Sequence, residues 1–281
     1  MAGRVLRHRI DSVSVAATIV GVGYSFACWL LAPPLIFLVP LPFLSTWVHL
    51  VEHNHVHLPV FRGKRLNEVF CLILCLGTAV PVEAYRFQHV ETHHRFAGKE
   101  EDWTSPFSYR NSRFPDRPVH LPWYILTYWA RGWRLFIPEV WKRRHTERGR
   151  RAWRSMIMLA VALVVLGLTH PVTFALYFLC PWIGNQLVPA WFNWRHHSGC
   201  DFRTKYSSAN VNLGWFSRVL GFSIGYHSVH HEYPSLHWSL LKDRFYQEFA
   251  PFTGPERLVA ASRRYRRTLE IARANQSADL L

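Results

Sequence analysis

The chain lacks the cysteine patterns that hold iron–sulfur clusters, structural zinc or disulfide frameworks. Its five cysteines form no CxxC pair, and Cys71 and Cys75 lie at helical spacing within an apolar run. Cysteines in such positions usually serve as small buried residues of a helix. The sequence therefore argues against a ferredoxin-like, zinc-ribbon or disulfide-rich domain.

Acidic residues are scarce as well. The chain has 18 Asp and Glu against 33 Lys and Arg, which gives a formal charge of +15. A basic chain of this size often binds nucleic acid, but here the basic residues alternate with long apolar runs and 13 tryptophans. Basic, Trp-rich flanks around apolar runs are typical of a membrane protein with a basic cytosolic face. We therefore expect a membrane and no nucleic acid as partner.

Four apolar runs are candidates to cross a bilayer, which takes about 20 residues each. They cover residues 13–31, 35–51, 153–170 and 172–192. Pro33-Pro34 and Pro171 make tight turns, so the four crossings form two hairpins. The positive-inside rule then places both termini and the Arg-rich stretch 110–154 in the cytosol. The absence of a targeting sequence favours a bacterial inner membrane.

Two further apolar runs, 69–82 and 211–226, are too short or too interrupted for confident crossings. We interpret both as helices in the interface or against the bundle, and the aromatic-rich segment 121–140 as interfacial. The sequence thus predicts an all-α integral membrane protein: four transmembrane helices, interfacial helices and a cytosolic helical cap. It predicts a single domain over residues 1–281.

The 17 histidines are the most unusual feature of the composition, and many of them are clustered. Residues four apart share a helix face, so His53 and His57 can bind one metal centre, as can His49 and His53 by spacing alone. In the second cluster His89 and His93 share a face, and His94 is rotated enough to reach a second metal.

The third cluster contains His227, His230 and His231, and His196-His197 follows the last predicted crossing. All of these clusters lie at the expected cytosolic ends of helices. Neutral imidazole suits iron, copper, zinc and nickel. Eight or nine imidazoles exceed the about four ligands of one zinc site, so two ions are the simplest interpretation, placed in the cytosolic cap.

Two other classes of membrane protein also use histidines. A metal transporter would want polar residues inside its crossings, and a membrane haem protein would need facing histidines there. The histidines of this chain lie instead at the ends of the crossings. An iron pair at a lipid interface suits dioxygen activation, whereas hydrolytic zinc usually has three protein ligands and an activating carboxylate.

The three clusters resemble the histidine boxes of the membrane fatty acid desaturase and hydroxylase superfamily. The first box is His53-Asn-His-Val-His57 with its basic sequel up to Leu66-Asn67, and the second is followed by Glu101-Asp102-Trp103. The third is Gly225-Tyr-His-Ser-Val-His-His-Glu-Tyr-Pro234. Together with Asn193-x-x-x-His197, the resemblance extends over residues 47–238.

The resemblance implies a diiron centre and a set of ligands. These metal ligands are His53, His57, His89, His93, His94, Asn193, His197, His227, His230 and His231. Asn193 would reach a metal directly or through water. Metal-bound imidazoles usually need hydrogen-bonding partners, and the candidates near the ligands are His49, Glu91, Asp102 and His196. No further catalytic residue is expected beyond the ligands.

The resemblance also implies an oxidoreductase that uses dioxygen on a lipid or fatty acyl chain, most simply a desaturase. The second box has the spacing H-x-x-x-H-H, which is similar to alkane monooxygenases, so hydroxylation of alkanes, fatty acids or carotenoids and terminal-alkene formation remain alternatives. The chain has no GxGxxG and no His-Pro-Gly-Gly of a fused cytochrome. A separate electron donor is therefore expected: a ferredoxin, a rubredoxin or a small cytochrome.

Overall fold

The computed structural model describes residues 5–99, 101–105, 120–259, 267 and 269–271, which are mostly helical. The α-helices are α1 (Asp11–Leu31), α2 (Leu41–His57), α3 (Lys64–Thr78), α4 (Val82–Arg86), α5 (Leu121–Lys142), α6 (Glu147–Thr169), α7 (Pro171–Phe174), α8 (Cys180–His197), α9 (His227–Glu232) and α10 (Leu241–Arg244). This confirms the mostly helical architecture.

Other local structures complete the described part. Wider π-helical turns are Phe87–His94, Ala175–Leu179, Phe216–Leu220 and Phe245–Phe249. The 3-10 turns are Leu35–Leu38, Trp238–Leu240, Ala250–Phe252 and Pro255–Arg257. Two short strands, β1 (Val211–Asn212) and β2 (Leu258–Val259), pair in parallel with Val211 opposite Leu258.

The chain divides into two compact units. The first unit comprises Met1–Glu91 and Trp123–Ala190, and the second comprises Thr92–Pro122 and Trp191–Leu281. The expectation of one domain over residues 1–281 stays a prediction.

Three helical segments of the described residues are long and apolar enough to cross a membrane: Asp11–Leu31, Leu35–His57 and Glu147–Thr169. They overlap three of the four expected crossings. Lys64–Thr78 and Val82–His94 pass the same test as a pair but are bent by 88° at their break. The crossing expected over 172–192 is helical, but prolines and the amides of Asn185 and Gln186 make it less apolar. That crossing, and the two-hairpin topology with it, stay predictions.

Close packing of α1, α2 and α3 positions the first histidine box. A Cβ added at Gly21 would lie 2.6 Å from Val48 Cγ2, and one at Gly77 would lie 2.8 Å from both Val22 and Val48. Small residues let helices approach closely, as in many membrane bundles. The middle of α2, just before the box, is therefore packed closely against both neighbouring helices.

An aromatic cluster joins α6 to α7 and α8 in the first unit. Leu166, Phe174, Phe178 and Trp182 form a buried group. The Trp182 indole also donates a hydrogen bond to the Leu76 carbonyl at 2.8 Å, near the end of α3. This bond satisfies one of the carbonyls that a helix end leaves unpaired, so α8 is anchored to α3.

The second unit has its own apolar core. It contains Val211, Leu213, Tyr226, Val229, Leu241, Phe245, Phe249, Ala250, Leu258 and Leu269. The expectation of a helix over 211–226 is wrong, because Val211–Asn212 forms β1 and helical turns are confined to Phe216–Leu220. Asn212 N donates to Gly225 O at 2.9 Å, and a Cβ at Gly225 would lie 1.9 Å from Asn212 O. The segment therefore forms this close backbone pairing where a helix was expected.

Candidate metal centre

Three histidines of the first unit come together at the end of α2. The rings of His53 and His57 lie 5.5 Å apart between centroids, and His89 lies 4.4 Å from His53 and 4.9 Å from His57. One ring nitrogen from each lies within 4.8 Å of the others. We call these three residues the first-unit histidine group. The i,i+4 spacing of His53 and His57 on α2 predicts that these two rings lie on one face of the helix.

Tyr85 contacts two members of this group. Its hydroxyl lies 3.1 Å from His53 Nδ1, and its ring stacks on His89 at 5.2 Å with an interplanar angle of 13°. Sequence reasoning missed Tyr85. The available signal was its position four residues before His89, which puts both on one helix face.

His49 and His55 flank the first-unit histidine group without belonging to it. His49 is buried, with Nδ1 3.5 Å from a Glu52 carboxylate oxygen and its ring against Tyr85. His55 faces the other way, because its Nδ1 accepts from Val60 N at 3.3 Å. The structure thus separates His53 and His57 from the other histidines of α2.

Four histidines of the second unit form a tighter group. These are His93, His197, His227 and His231, with ring nitrogens within 4.8 Å of one another. We call them the second-unit histidine group. His93 Nε2 lies 3.1 Å from both His197 Nε2 and His231 Nε2. A ring nitrogen has one hydrogen or one lone pair, so it cannot serve two such neighbours. Convergence on one point is what a metal ion requires, since ligands about 2.1 Å from an ion and at right angles lie about 3.0 Å apart.

Hydrogen bonds at Nδ1 fix the tautomers of two members of this group. His93 Nδ1 donates to the buried Asp102 carboxylate at 2.9 Å, and His197 Nδ1 donates to the Ser208 carbonyl at 2.9 Å. Because both Nδ1 atoms carry the hydrogen, each Nε2 presents its lone pair to the centre. This is the arrangement that orients metal-ligating histidines.

Thr104 supports Asp102 in turn. Its backbone N–H and its hydroxyl donate to Asp102 Oδ1 at 3.1 and 2.6 Å, which leaves Oδ2 for His93. Asn193 is buried, and its Nδ2 donates to the Thr104 carbonyl at 2.6 Å. The structure therefore places the predicted partner Asp102 beside a predicted ligand. Sequence reasoning missed Thr104, which is two residues after that carboxylate.

A second pair of imidazoles lies beside this group. His94 Nε2 is 3.0 Å from His230 Nε2, and the ring of His94 stacks on His231 at 4.4 Å. The sequence places His227, His230 and His231 in one cluster. In the structure the shared group joins His227 with His231, at a spacing of four, and His230 pairs with His94.

Burial keeps four of the second-unit imidazoles neutral: His197, His227, His230 and His231. It lowers the pKa values of His197, His227 and His231 well below the ordinary range, and neighbouring histidines lower them further. Burial lowers the pKa of His230 to about 3. A lowered histidine pKa favours the uncharged ring at neutral pH, and the uncharged ring is the form that binds metal. The donor chemistry therefore fits iron, copper, zinc or nickel.

The predicted partners His196 and Glu91 have other contacts. The ring of His196 stacks on His227 at 3.9 Å, and its buried Nε2 has no hydrogen-bond partner among the described residues. Glu91 pairs with arginines: Arg143 Nη1 at 2.7 Å and Arg148 Nη1 at 2.8 Å. Its carboxylate thus contacts a basic surface of the first unit, which differs from the expected bond to an imidazole.

A protein-family model matches most of the chain. The family model described as fatty acid desaturase matches residues 13–259, which include every histidine of both groups. No curated protein and no solved structure matches the chain.

Proposed function

The chain belongs to the fatty acid desaturase family, and we propose that it is a membrane diiron oxidoreductase that desaturates a lipid or fatty acyl chain with dioxygen. The observation that carries this proposal is the presence of two separate groups of clustered, mostly buried imidazoles. Seven imidazoles exceed the about four ligands that one ion takes, which supports two ions.

Each histidine group would hold one iron ion. His53, His57 and His89 would bind one ion. His93, His197, His227 and His231 would bind the other. The predicted ligands Asn193, His94 and His230 complete the proposed set within the second unit. His49, His196 and Glu91 are not ligands in this proposal.

Desaturation would remove two hydrogens from adjacent methylenes of the substrate. With two electrons and two protons from outside, dioxygen and those hydrogens become two water molecules, and the carbon chain gains one double bond. The bound irons would supply the dioxygen chemistry. The residues of the chain hold the ligand lone pairs in place: Asp102 and Ser208 keep the protons of His93 and His197 at Nδ1. Burial lowers the pKa values of His197, His227 and His231, which keeps those three rings neutral.

The electrons would come from a separate acidic protein, such as a ferredoxin, a rubredoxin or a small cytochrome. A net charge of +15 favours such a partner, since complementary charge increases association rates. We place the protein in a bacterial inner membrane, with its basic face and both termini in the cytosol.

Hydroxylation remains the second candidate, because the second box is spaced H-x-x-x-H-H. In the structure its members divide between the groups, with His89 in the first-unit histidine group and His93 in the second. A hydroxylase would leave one oxygen on the substrate, and a terminal-alkene-forming oxidase would act at the chain end. A membrane metal transporter is disfavoured, because the histidines lie at helix ends and in the second unit.

The experiment is to express the chain in a bacterial host with a ferredoxin and its reductase, and to compare membrane lipids by mass spectrometry. We expect acyl chains that lack two hydrogens, and we expect these products to disappear in His94→Ala and His230→Ala variants of equal abundance. Chains that gain one oxygen would identify a hydroxylase instead. Lipids that are identical in parent, variants and empty host would contradict the oxidoreductase.

A further inference from the structure

Phe202 is a bulky residue in a backbone conformation that bulky residues rarely adopt. Its φ angle is +56°, in the left-handed region that glycine tolerates and residues with a Cβ avoid. The Asp201 carboxylate accepts from Arg203 N at 3.0 Å, and this turn encloses Phe202. A glycine would form the turn at lower cost, and strained residues of this kind are concentrated at functional sites. The aromatic side chain therefore needs an explanation beyond the turn.

The Phe202 ring stacks on a proposed iron ligand of the second unit. It lies 5.5 Å from the His197 ring between centroids, with an interplanar angle of 20°. His197 has no exposed surface, whereas Phe202 is partly exposed. The Phe202 ring therefore lies between His197 and the solvent on this side of the second-unit histidine group.

A turn after the second box makes room for this ring. Lys99 N donates to Phe96 O at 2.8 Å, and the third residue of the turn is Gly98, with a φ of +77°. A positive φ at that position favours glycine. A Cβ at Gly98 would lie 2.5 Å from Phe202 Cγ, so any other residue would push the ring away. Gly98 is itself exposed, which places the contact at the surface of the unit.

Displacing the Phe202 ring would break no hydrogen bond, in contrast to opening the site behind His93. There the buried Asp102 carboxylate accepts from His93 and twice from Thr104, so opening that side would leave polar groups unsatisfied. A phenyl ring has no donor or acceptor, and its displacement loses packing alone. Relaxation of the left-handed backbone would offset part of that loss. Of these two sides, the one covered by Phe202 is therefore easier to open.

We propose that Phe202 is a movable cover over the second-unit histidine group, and that the iron ion enters and leaves this group past the Phe202 ring. The inference rests on the proposed function and adds the route by which one ion reaches its ligands. A metal site needs an entry path as well as ligands. The ring itself binds no metal, so it sets the rate of iron exchange and leaves the affinity of the site unchanged.

The test measures iron exchange in the full chain, in mild detergent and without oxygen. All proteins carry His57→Ala, so that only the second-unit histidine group is expected to hold iron. Release of Fe²⁺ to an excess of a coloured chelator is followed by stopped flow, and affinity is measured separately by equilibrium competition. Loss of one aromatic contact in Phe202→Ala predicts roughly two- to tenfold faster release. With the affinity unchanged, uptake is faster by the same factor.

Gly98→Ala and Gly199→Ala are matched variants that separate displacement of the ring from backbone strain. Both glycines have a positive φ, +77° and +72°, so alanine strains the backbone at either position. The new Cβ meets the Phe202 ring at Gly98, whereas at Gly199 it would have no described atom within 4 Å. We expect faster release in Gly98→Ala and the parent rate in Gly199→Ala. Equal acceleration in both would assign the effect to strain and overturn the proposal.

Phe252→Ala is the control for the loss of an aromatic ring. Phe252 belongs to the same unit, is 48% exposed and stacks on Tyr206 at 4.5 Å. We expect iron release at the parent rate in this variant. Phe202→Tyr keeps the ring over His197 and is likewise expected to release iron at the parent rate. Faster release in Phe252→Ala than in Phe202→Ala would show that the effect is not specific to the cover and would overturn the proposal.

Two further outcomes would overturn the cover and leave the proposed function standing. Faster release with a proportional loss of affinity in Phe202→Ala would mean that the ring orients His197. Unchanged release would mean that the ion leaves by another path, such as past the partly exposed His231. A second-unit histidine group that binds no iron even in the presence of Phe202 would contradict the proposed function, and the cover with it.

Discussion

The two histidine groups differ in what orients their imidazoles. In the first unit, His53 and His57 lie four residues apart on the long helix α2, and the hydrogen-bonding partner is the neutral hydroxyl of Tyr85. In the second unit, the Asp102 carboxylate orients His93, and the Ser208 carbonyl orients His197. The first group is thus positioned mainly by helix geometry, and the second mainly by hydrogen bonds from other segments.

This difference affects how strongly each group depends on residues beyond the ligands. A charged carboxylate forms stronger hydrogen bonds than a neutral hydroxyl. Asp102 has no exposed surface, so water cannot replace it readily. Removing a hydrogen-bonding partner of an imidazole is therefore expected to weaken iron binding more in the second-unit histidine group than in the first.

The largest effect is expected from Asp102→Asn. Thr104 donates twice to Oδ1, so the new amide would keep its oxygen there and turn its NH₂ toward His93. His93 would then carry its hydrogen on Nε2 and lose the lone pair that binds metal. We expect roughly 10- to 100-fold weaker retention of one iron, measured by chelator competition.

Asp201→Asn is the matched control for that substitution. Asp201 belongs to the same unit but is exposed, and it accepts a hydrogen bond from Arg203 N. We expect iron retention like that of the parent. Equal retention in Asp102→Asn and the control would show that the Asp102 contact does not set the tautomer of His93.

A smaller effect is expected from Tyr85→Phe. The change removes the hydroxyl beside His53 and keeps the ring that stacks on His89. A neutral hydrogen bond contributes about 1 kcal/mol, so we expect about fivefold weaker retention of the first-unit iron. Chelator competition again measures it.

Tyr24→Phe serves as the control, because the Tyr24 hydroxyl donates to the Phe37 carbonyl and contacts no member of either histidine group. If Tyr85→Phe weakened iron retention as much as Asp102→Asn does, the two histidine groups would not differ in how strongly they depend on their hydrogen-bonding partners.

The sequence predicted those parts of the site that depend on local geometry. His53 and His57 follow from the i,i+4 spacing of one continuous helix, and His55, between them, faces the other way. Asp102 was predicted as a partner because acidic residues follow the second box, but its bond to His93 depends on a turn that no periodicity encodes. Thr104 was missed for the same reason. Tyr85 was missed although its spacing of four residues from His89 is visible in the sequence.

For the fold, too, the sequence predicted the long apolar helices and missed the pairing between distant segments. The apolar runs located three segments able to cross a membrane, with ends at most six residues from those of the helical segments. The segment 211–226 was assigned to a helix on its apolar composition. Glycines there allow the backbone of Gly225 to pair closely with Asn212, and composition alone does not reveal this pairing.

The most direct test of the account is the iron content per chain of protein purified in mild detergent. We expect about two irons in the parent and about one in each of His57→Ala and His231→Ala, because each variant disrupts one of two groups that bind independent ions. The control His55→Ala is expected to keep the parent value. Zinc in place of iron, or an unchanged iron content in both ligand variants, would contradict the account.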